Sequence, residues 1–198
     1  MKRLGLILLL AACAFAQKPP KPPKPGLYAV FNTDLGAFKM LLHEKETPVT
    51  VNVFSGLVLG SRAWRDPDGK MVNKPFYNGQ TFFRVIEGAI QTGSPTGSTS
   101  YNCGLALPDE ILPGYLFGAG TVAIANGGPD TGSCQFFITT GAHQTWNGKY
   151  TVFGQVVEGM DVVEKIARGK VRGETPLSPV KIDTVTLERV GPAPKVKK

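Results

Sequence analysis

Histidine, cysteine and tryptophan are scarce here: two, three and two among 198 residues. A structural or catalytic metal centre needs several His, Cys or carboxylate ligands at close spacing. His43 and His143 alone do not supply them, so no metal or other cofactor is expected. The chain also lacks Gly-x-Ser-x-Gly and any glycine-rich loop ending in Lys-Ser/Thr, which sets aside an elbow-serine hydrolase and a P-loop nucleotide enzyme. Its apolar stretch near the N-terminus is too short for a permanent membrane span. Basic charge is thin on the body of the chain despite a formal net charge of +7. Lys2, Arg3, Lys18, Lys21 and Lys24 lie at one end, and Lys195, Lys197 and Lys198 at the other. Setting those eight aside leaves 14 basic residues against 15 acidic ones, a balance of −1. A nucleic-acid footprint needs basic residues clustered on the fold itself, so no nucleic-acid partner is expected.

What is abundant is glycine, with 24, and proline, with 16. Set between β-branched and aromatic runs, they describe a turn-rich β protein, and the length suits one domain. Residues 1–16 read as an export signal: Met1-Lys2-Arg3, an apolar run from Leu4 to Ala12, then Ala14-Phe15-Ala16. Two processing routes stay open. Cleavage after Ala16 gives a soluble product, whereas Leu10-Ala11-Ala12-Cys13 resembles a lipobox that would attach lipid at Cys13, the only membrane contact expected. Either route places the mature protein outside the cytoplasm, in the periplasm or cell envelope. Residues 17–26 form a Pro/Lys-rich linker, extended and semi-rigid. A domain over 27–190 and a basic tail over 191–198 complete the chain. In an oxidising compartment Cys103 and Cys134 are a disulfide candidate, and two separately buried small residues are the other reading.

Two apolar runs around Asp34-Leu35-Gly36 predict an opening hairpin, with His43 as a surface residue at its end. Residues 47–60 are rich in Val and Thr, which favours a strand. Thr47 as N-cap, Pro48 at the first helical position and Gly60 past the end predict a helix instead, with Val49, Val53, Phe54 and Leu57 on one face. Trp64, in a polar loop, is expected to fold back onto that loop. Residues 93–108 hold little to bury and read as the rim loop of a site. Strands follow over 121–125, 135–140 and 150–157, then a helix over 160–167 and a last strand over 181–188.

Two stretches carry the functional information. Residues 81–93, TFFRVIEGAIQTG, set Arg84 inside an apolar strand-like run, where a charge is costly unless it is paired or put to use. Residues 123–139, AIANGGPDTGSCQFFIT, lead from a tight turn into a strand with two phenylalanines. Together they resemble the signature segments of the cyclophilin-type peptidyl-prolyl cis–trans isomerases, F-H-R-[VI]-[VI]-P-G-F-M-x-Q-G-G and A-N-x-G-P-x-T-x-x-S-Q-F-F-I. The resemblance spans about residues 27–190. It implies a mainly β fold, a closed eight-stranded antiparallel β-barrel capped by two α-helices. It also implies prolyl isomerisation of extended or unfolded segments of exported proteins, by a monomer whose partners are proline-containing peptide segments.

Carried over residue by residue, the resemblance implies that Arg84 is the catalytic arginine and that Gln91 orients it and binds substrate backbone. Phe137 becomes the aromatic floor of a proline pocket. Ala125, Asn126 and Gln135 contact the substrate, Trp146 stands at a wall position usually held by Leu, and Tyr150 replaces a His. One departure matters. Between Arg84 and Gln91 the chain is one residue short, so that a Phe is lost and Ile90 stands where the family has Met. Such a deletion flips side chains between faces unless a bulge or turn absorbs it. Absorption before Gln91 is expected, since the residues from Gln91 to Gly97 follow the family pattern. A competing reading makes Arg84 a structural salt-bridge residue with Glu87 or Asp109. His143 is read as a loop surface residue. A peptide-gripping module with little turnover is the alternative function.

Overall fold

The computed structural model describes residues 23–193. The predicted export signal, Cys13 and residues 17–22 of the linker fall outside that range, as do residues 194–198 of the basic tail.

Strands β1 (Gly26–Thr33) and β2 (Gly36–Leu42) form the opening hairpin, with Thr33 opposite Gly36 and only Asp34 and Leu35 between them. Helix α1 (Pro48–Leu59) starts and stops where its proline and glycine predict: Pro48 opens the first turn and Gly60 closes it at φ +72°. Its cap differs from the expectation. Thr47 turns its hydroxyl back to the His43 carbonyl, and the first-turn amides of Val49 and Thr50 donate to the Glu110 carboxylate at 3.1 and 2.8 Å. A carboxylate there satisfies orphan N–H groups and complements the helix dipole. The buried face also differs. Thr50, Val53, Phe54, Leu57 and Val58 are buried with Val51, while Val49 is exposed.

A small hairpin follows, β3 (Trp64–Arg65) with β4 (Met71–Val72). Trp64 does fold back, donating its indole N–H to Lys74 and meeting Phe76 edge-on at 4.8 Å. Next come β5 (Arg84–Ile86), β6 (Ala89–Thr92), β7 (Thr121–Ile124), β8 (Phe136–Thr139), a 3₁₀ turn at Gln144–Trp146, β9 (Val152–Glu158) and α2 (Met160–Ala167). Helix α2 buries Val162, Val163 and Ile166 and packs against β2 and β6. A second small hairpin, β10 (Val171–Arg172) with β11 (Thr175–Pro176), precedes the long β12 (Ile182–Val190).

Eight strands make one antiparallel sheet in the order β12-β1-β2-β9-β7-β8-β6-β5. The expected closure into a full barrel is not found: β12 and β5 remain edges, and the sheet is an open half-barrel. Between them lie one isolated bridge, Thr81 with Lys181, and single hydrogen bonds such as Phe82 N–H to Val180. The residues ahead of β5 run Gln80-Thr81-Phe82-Phe83, too irregular to continue the ladder. The hollow of the sheet is filled by rings. Phe136 lies edge-on to Phe31, Phe54, Tyr77 and Phe153, all fully or almost fully buried. An interior so filled leaves its chemistry to the outer face.

Candidate active site

On the outer face, β5, β6 and β8 bring the two signature stretches together. Arg84 lies opposite Gln91 and Ile86 opposite Ala89, so the missing residue is absorbed in a two-residue turn at Glu87 and Gly88. That turn fixes the parity. Arg84 and Gln91 share the outer face, while Val85 and Ile90 point inward. The gap is thus absorbed before Gln91, which lies beside Arg84, whereas Ile90 does not face the site. Ile90 is wholly buried in the main core opposite Ile138, and Ala89 takes the place beside the outer rings.

The guanidinium of Arg84 is held at two of its three nitrogens. Nη1 donates to Gln91 Oε1 at 2.9 Å, and Nε donates to Glu174 Oε2 at 2.7 Å. Nη2 has no hydrogen-bond partner among the described residues. The salt bridge is with neither Glu87 nor Asp109, and it lies in solvent: the Glu174 side chain is 57% exposed and that of Arg84 32%. The guanidinium hydrogen bond holds the Glu174 carboxyl below its usual range. Gln91 then passes its own amide to Gln135 Oε1 at 2.8 Å. The Gln135 amide in turn faces the carbonyls of Ser98, Thr99 and Tyr101, at 3.2, 3.1 and 2.8 Å. A continuous polar chain thus runs from Glu174 through the arginine to the rim loop.

Arg84, Gln91, Ala125, Asn126, Gln135 and Tyr150 line one cleft of about 460 Å³, walled on one side by residues 99–102. Asn126 also donates its amide to the Lys149 carbonyl at 3.0 Å, which fixes the loop carrying Tyr150. Phe137 does not line this cleft. Its ring sits immediately behind Tyr150, edge-on at 5.1 Å, in an outer cluster with Trp146 at 5.2 Å and Phe117 stacked at 5.9 Å. Phe137 is only 7% exposed. Phe117 was not singled out from the sequence.

His143 is not a loop surface residue of the kind expected. Its ring stacks on Trp146 at 4.0 Å with 9° between planes, and its Nε2 lies 3.1 Å from the Gly88 carbonyl in the shortened turn. The stack packs directly against the shortened turn at Gly88. Glu174 was also missed, because it lies ninety residues from its partner and no pattern near it suggests the pairing.

Cys103, within the rim loop, and Cys134 are both buried free thiols, not a disulfide. Hydrogen bonds from Cys134 and then Ser133 lower the Cys103 thiol to about 7. Burial pushes Cys134 up. Among the described residues, no group of three or more His, Cys, Asp or Glu is placed to hold a metal.

Residues 28–187 match the family described as cyclophilin type peptidyl-prolyl cis-trans isomerase/CLD. The chain is 36% identical over 165 residues to peptidyl-prolyl cis-trans isomerase A of Mycobacterium tuberculosis, covering 80% of this chain and 91% of that one. Against peptidyl-prolyl cis-trans isomerase B of Streptomyces anulatus it is 36% identical over 169 residues, covering 82% and 97%. A cyclophilin type isomerase from Cryptosporidium parvum, solved in the presence of the dipeptide Ala-Pro, superposes with a TM-score of 0.71 at 22% identity, over 82% of this chain and 99% of that one. By sequence over its whole folded body, the chain belongs to the cyclophilin-type peptidyl-prolyl cis–trans isomerase family.

Proposed function

We propose that the protein isomerises X–Pro bonds in extended or unfolded polypeptide, with Arg84 as the group that lowers the barrier. The bond is slow because its amide resonance must be broken on the way, at about 18–20 kcal/mol. As the amide twists, the prolyl nitrogen regains its lone pair. Only contacts that are stronger in this twisted state speed the reaction. A preorganised cation that donates hydrogen bonds there favours it, and arginine combines permanent charge with a planar, rigid fork. The observation that carries this reading is the double hold on Arg84 at the mouth of the cleft, by Gln91 and Glu174, with Nη2 left over to donate. The ion pair does not retire the arginine, because it is exposed and engages only Nε.

In this reading Gln91 orients the guanidinium, Ala125, Asn126 and Gln135 meet the peptide backbone along the cleft, and Tyr150, backed by Phe137 and Trp146, forms the apolar end that takes the proline ring. A protease-free assay on a proline tetrapeptide tests it. Arg84→Ala is expected to lower kcat/KM by well over tenfold, since removing one preorganised donor commonly costs about 10²–10³ in rate. Equal rates for the two proteins would overturn it. A second reading is favoured by one observation: Phe137 is almost covered by neighbouring rings and the family's aromatic at the deletion is gone, which suits a module that grips proline peptides with little turnover. Peptide binding intact in both proteins, with no acceleration by either, would support that reading.

Export of the protein is part of the same proposal and rests on residues 1–16. Mass spectrometry of the mature amino terminus separates its two forms. A start at Gln17 is the soluble product, and a lipid-bearing Cys13 is the anchored one.

A further inference from the structure

Residues Gly173 and Glu174 form the two-residue turn between β10 and β11, where Arg172 pairs with Thr175. This turn is clipped to β5 twice. The amide of Val85 donates to the Glu174 carbonyl at 2.8 Å, and the Glu174 carboxylate takes the Nε–H of Arg84 at 2.7 Å. The backbone clip keeps Glu174 beside β5 whatever its side chain does. The side chain is therefore free to serve the arginine alone.

An exposed ion pair contributes little to folding, so this one should express itself elsewhere. A guanidinium bound only at Nη1 can still swing about that single hydrogen bond on its long, flexible stem. Binding Nε as well fixes the plane of the fork, and with it the direction of the Nη2 donors. Placement within fractions of an ångström decides how much a preorganised donor contributes. We propose that Glu174 is a positioning residue for prolyl isomerisation, acting through the orientation of Arg84 and not on the peptide. This rests on the reading that Arg84 is catalytic.

The test compares kcat and KM on a proline tetrapeptide for the wild type, Glu174→Ala, Glu174→Gln and Arg84→Ala. Glutamine keeps an oxygen that accepts from Nε, so Glu174→Gln should retain at least about half of the wild-type kcat. Glu174→Ala should lower kcat about three- to fivefold, the upper end of what an exposed ion pair supplies, with KM unchanged. The Nε–H resonance of Arg84 in nitrogen-edited NMR should be protected from solvent exchange in the wild type and in Glu174→Gln, and unprotected in Glu174→Ala. A Glu174→Ala enzyme as fast as wild type, or faster, overturns the proposal. So does a rise in KM at constant kcat, which would make Glu174 a substrate contact. An Arg84→Ala enzyme as fast as wild type defeats the underlying reading instead, whatever the Glu174 variants do.

Discussion

Phe136 enters the core among Phe31, Phe54, Tyr77 and Phe153, while Phe137, the next residue, lies with Phe117, Trp146 and Tyr150 on the outer face. Alternation along a strand predicts that opposition from the sequence alone. Phe136→Ala removes a ring enclosed on every side and should cost about 3–5 kcal/mol in urea unfolding. Phe137→Ala opens onto a surface cluster, so its stability loss should be the smaller of the two and its loss of kcat/KM the larger. The reverse order would contradict the facing described here. Arg84 and Gln91 were legible for the same reason as the two phenylalanines, since each sits in a short local pattern. Ile90 was not. Which face it takes depends on where a one-residue gap is closed, and that is decided by hairpin geometry.

The β5–β6 hairpin closes the gap with its turn, and the turn depends on Gly88. Its φ is +77°, and a Cβ there would collide with the His143 ring that stacks on Trp146. Gly88→Ala therefore carries both backbone strain and displacement of that stack. A destabilisation of about 1–3 kcal/mol, together with a shift in tryptophan emission from Trp146, is the expected result. An unchanged spectrum would mean that the turn does not support the aromatic end of the site. Helix α1 shows the same division of legibility. Pro48 and Gly60 mark its ends locally, but its cap comes from Glu110, sixty residues away. Contacts of that range leave no periodic trace in the chain.

Across the whole molecule, the mainly β class and most strand positions followed from turn residues and alternation. Closure of the sheet did not, because it depends on how two edges meet and not on either edge alone. The same long-range assembly makes stability sensitive to pH. His43, at the end of β2, is half-buried against Tyr115, and burial lowers its pKa, with the Val152 backbone and then Glu46 partly opposing the shift. The unfolded chain then takes up a proton near pH 6.5, while the folded state resists until lower pH. Between those two values the unfolded state holds more protons, so stability rises with pH across the window and is lost on acidification. The urea midpoint should fall from pH 7.5 to pH 5.5 in the wild type, and the fall should shrink in His43→Gln. An equal fall in both proteins would place the sensitivity elsewhere.

The central claim, that one guanidinium lowers the barrier to rotation about a prolyl bond, is tested most directly by exchange NMR on an Ala-Pro peptide at equilibrium with catalytic amounts of protein. Strong cis–trans exchange peaks are expected with the wild type. With Arg84→Ala those peaks should be lost, while peptide resonances still broaden or shift on binding. Exchange peaks of equal strength with both proteins would contradict that claim.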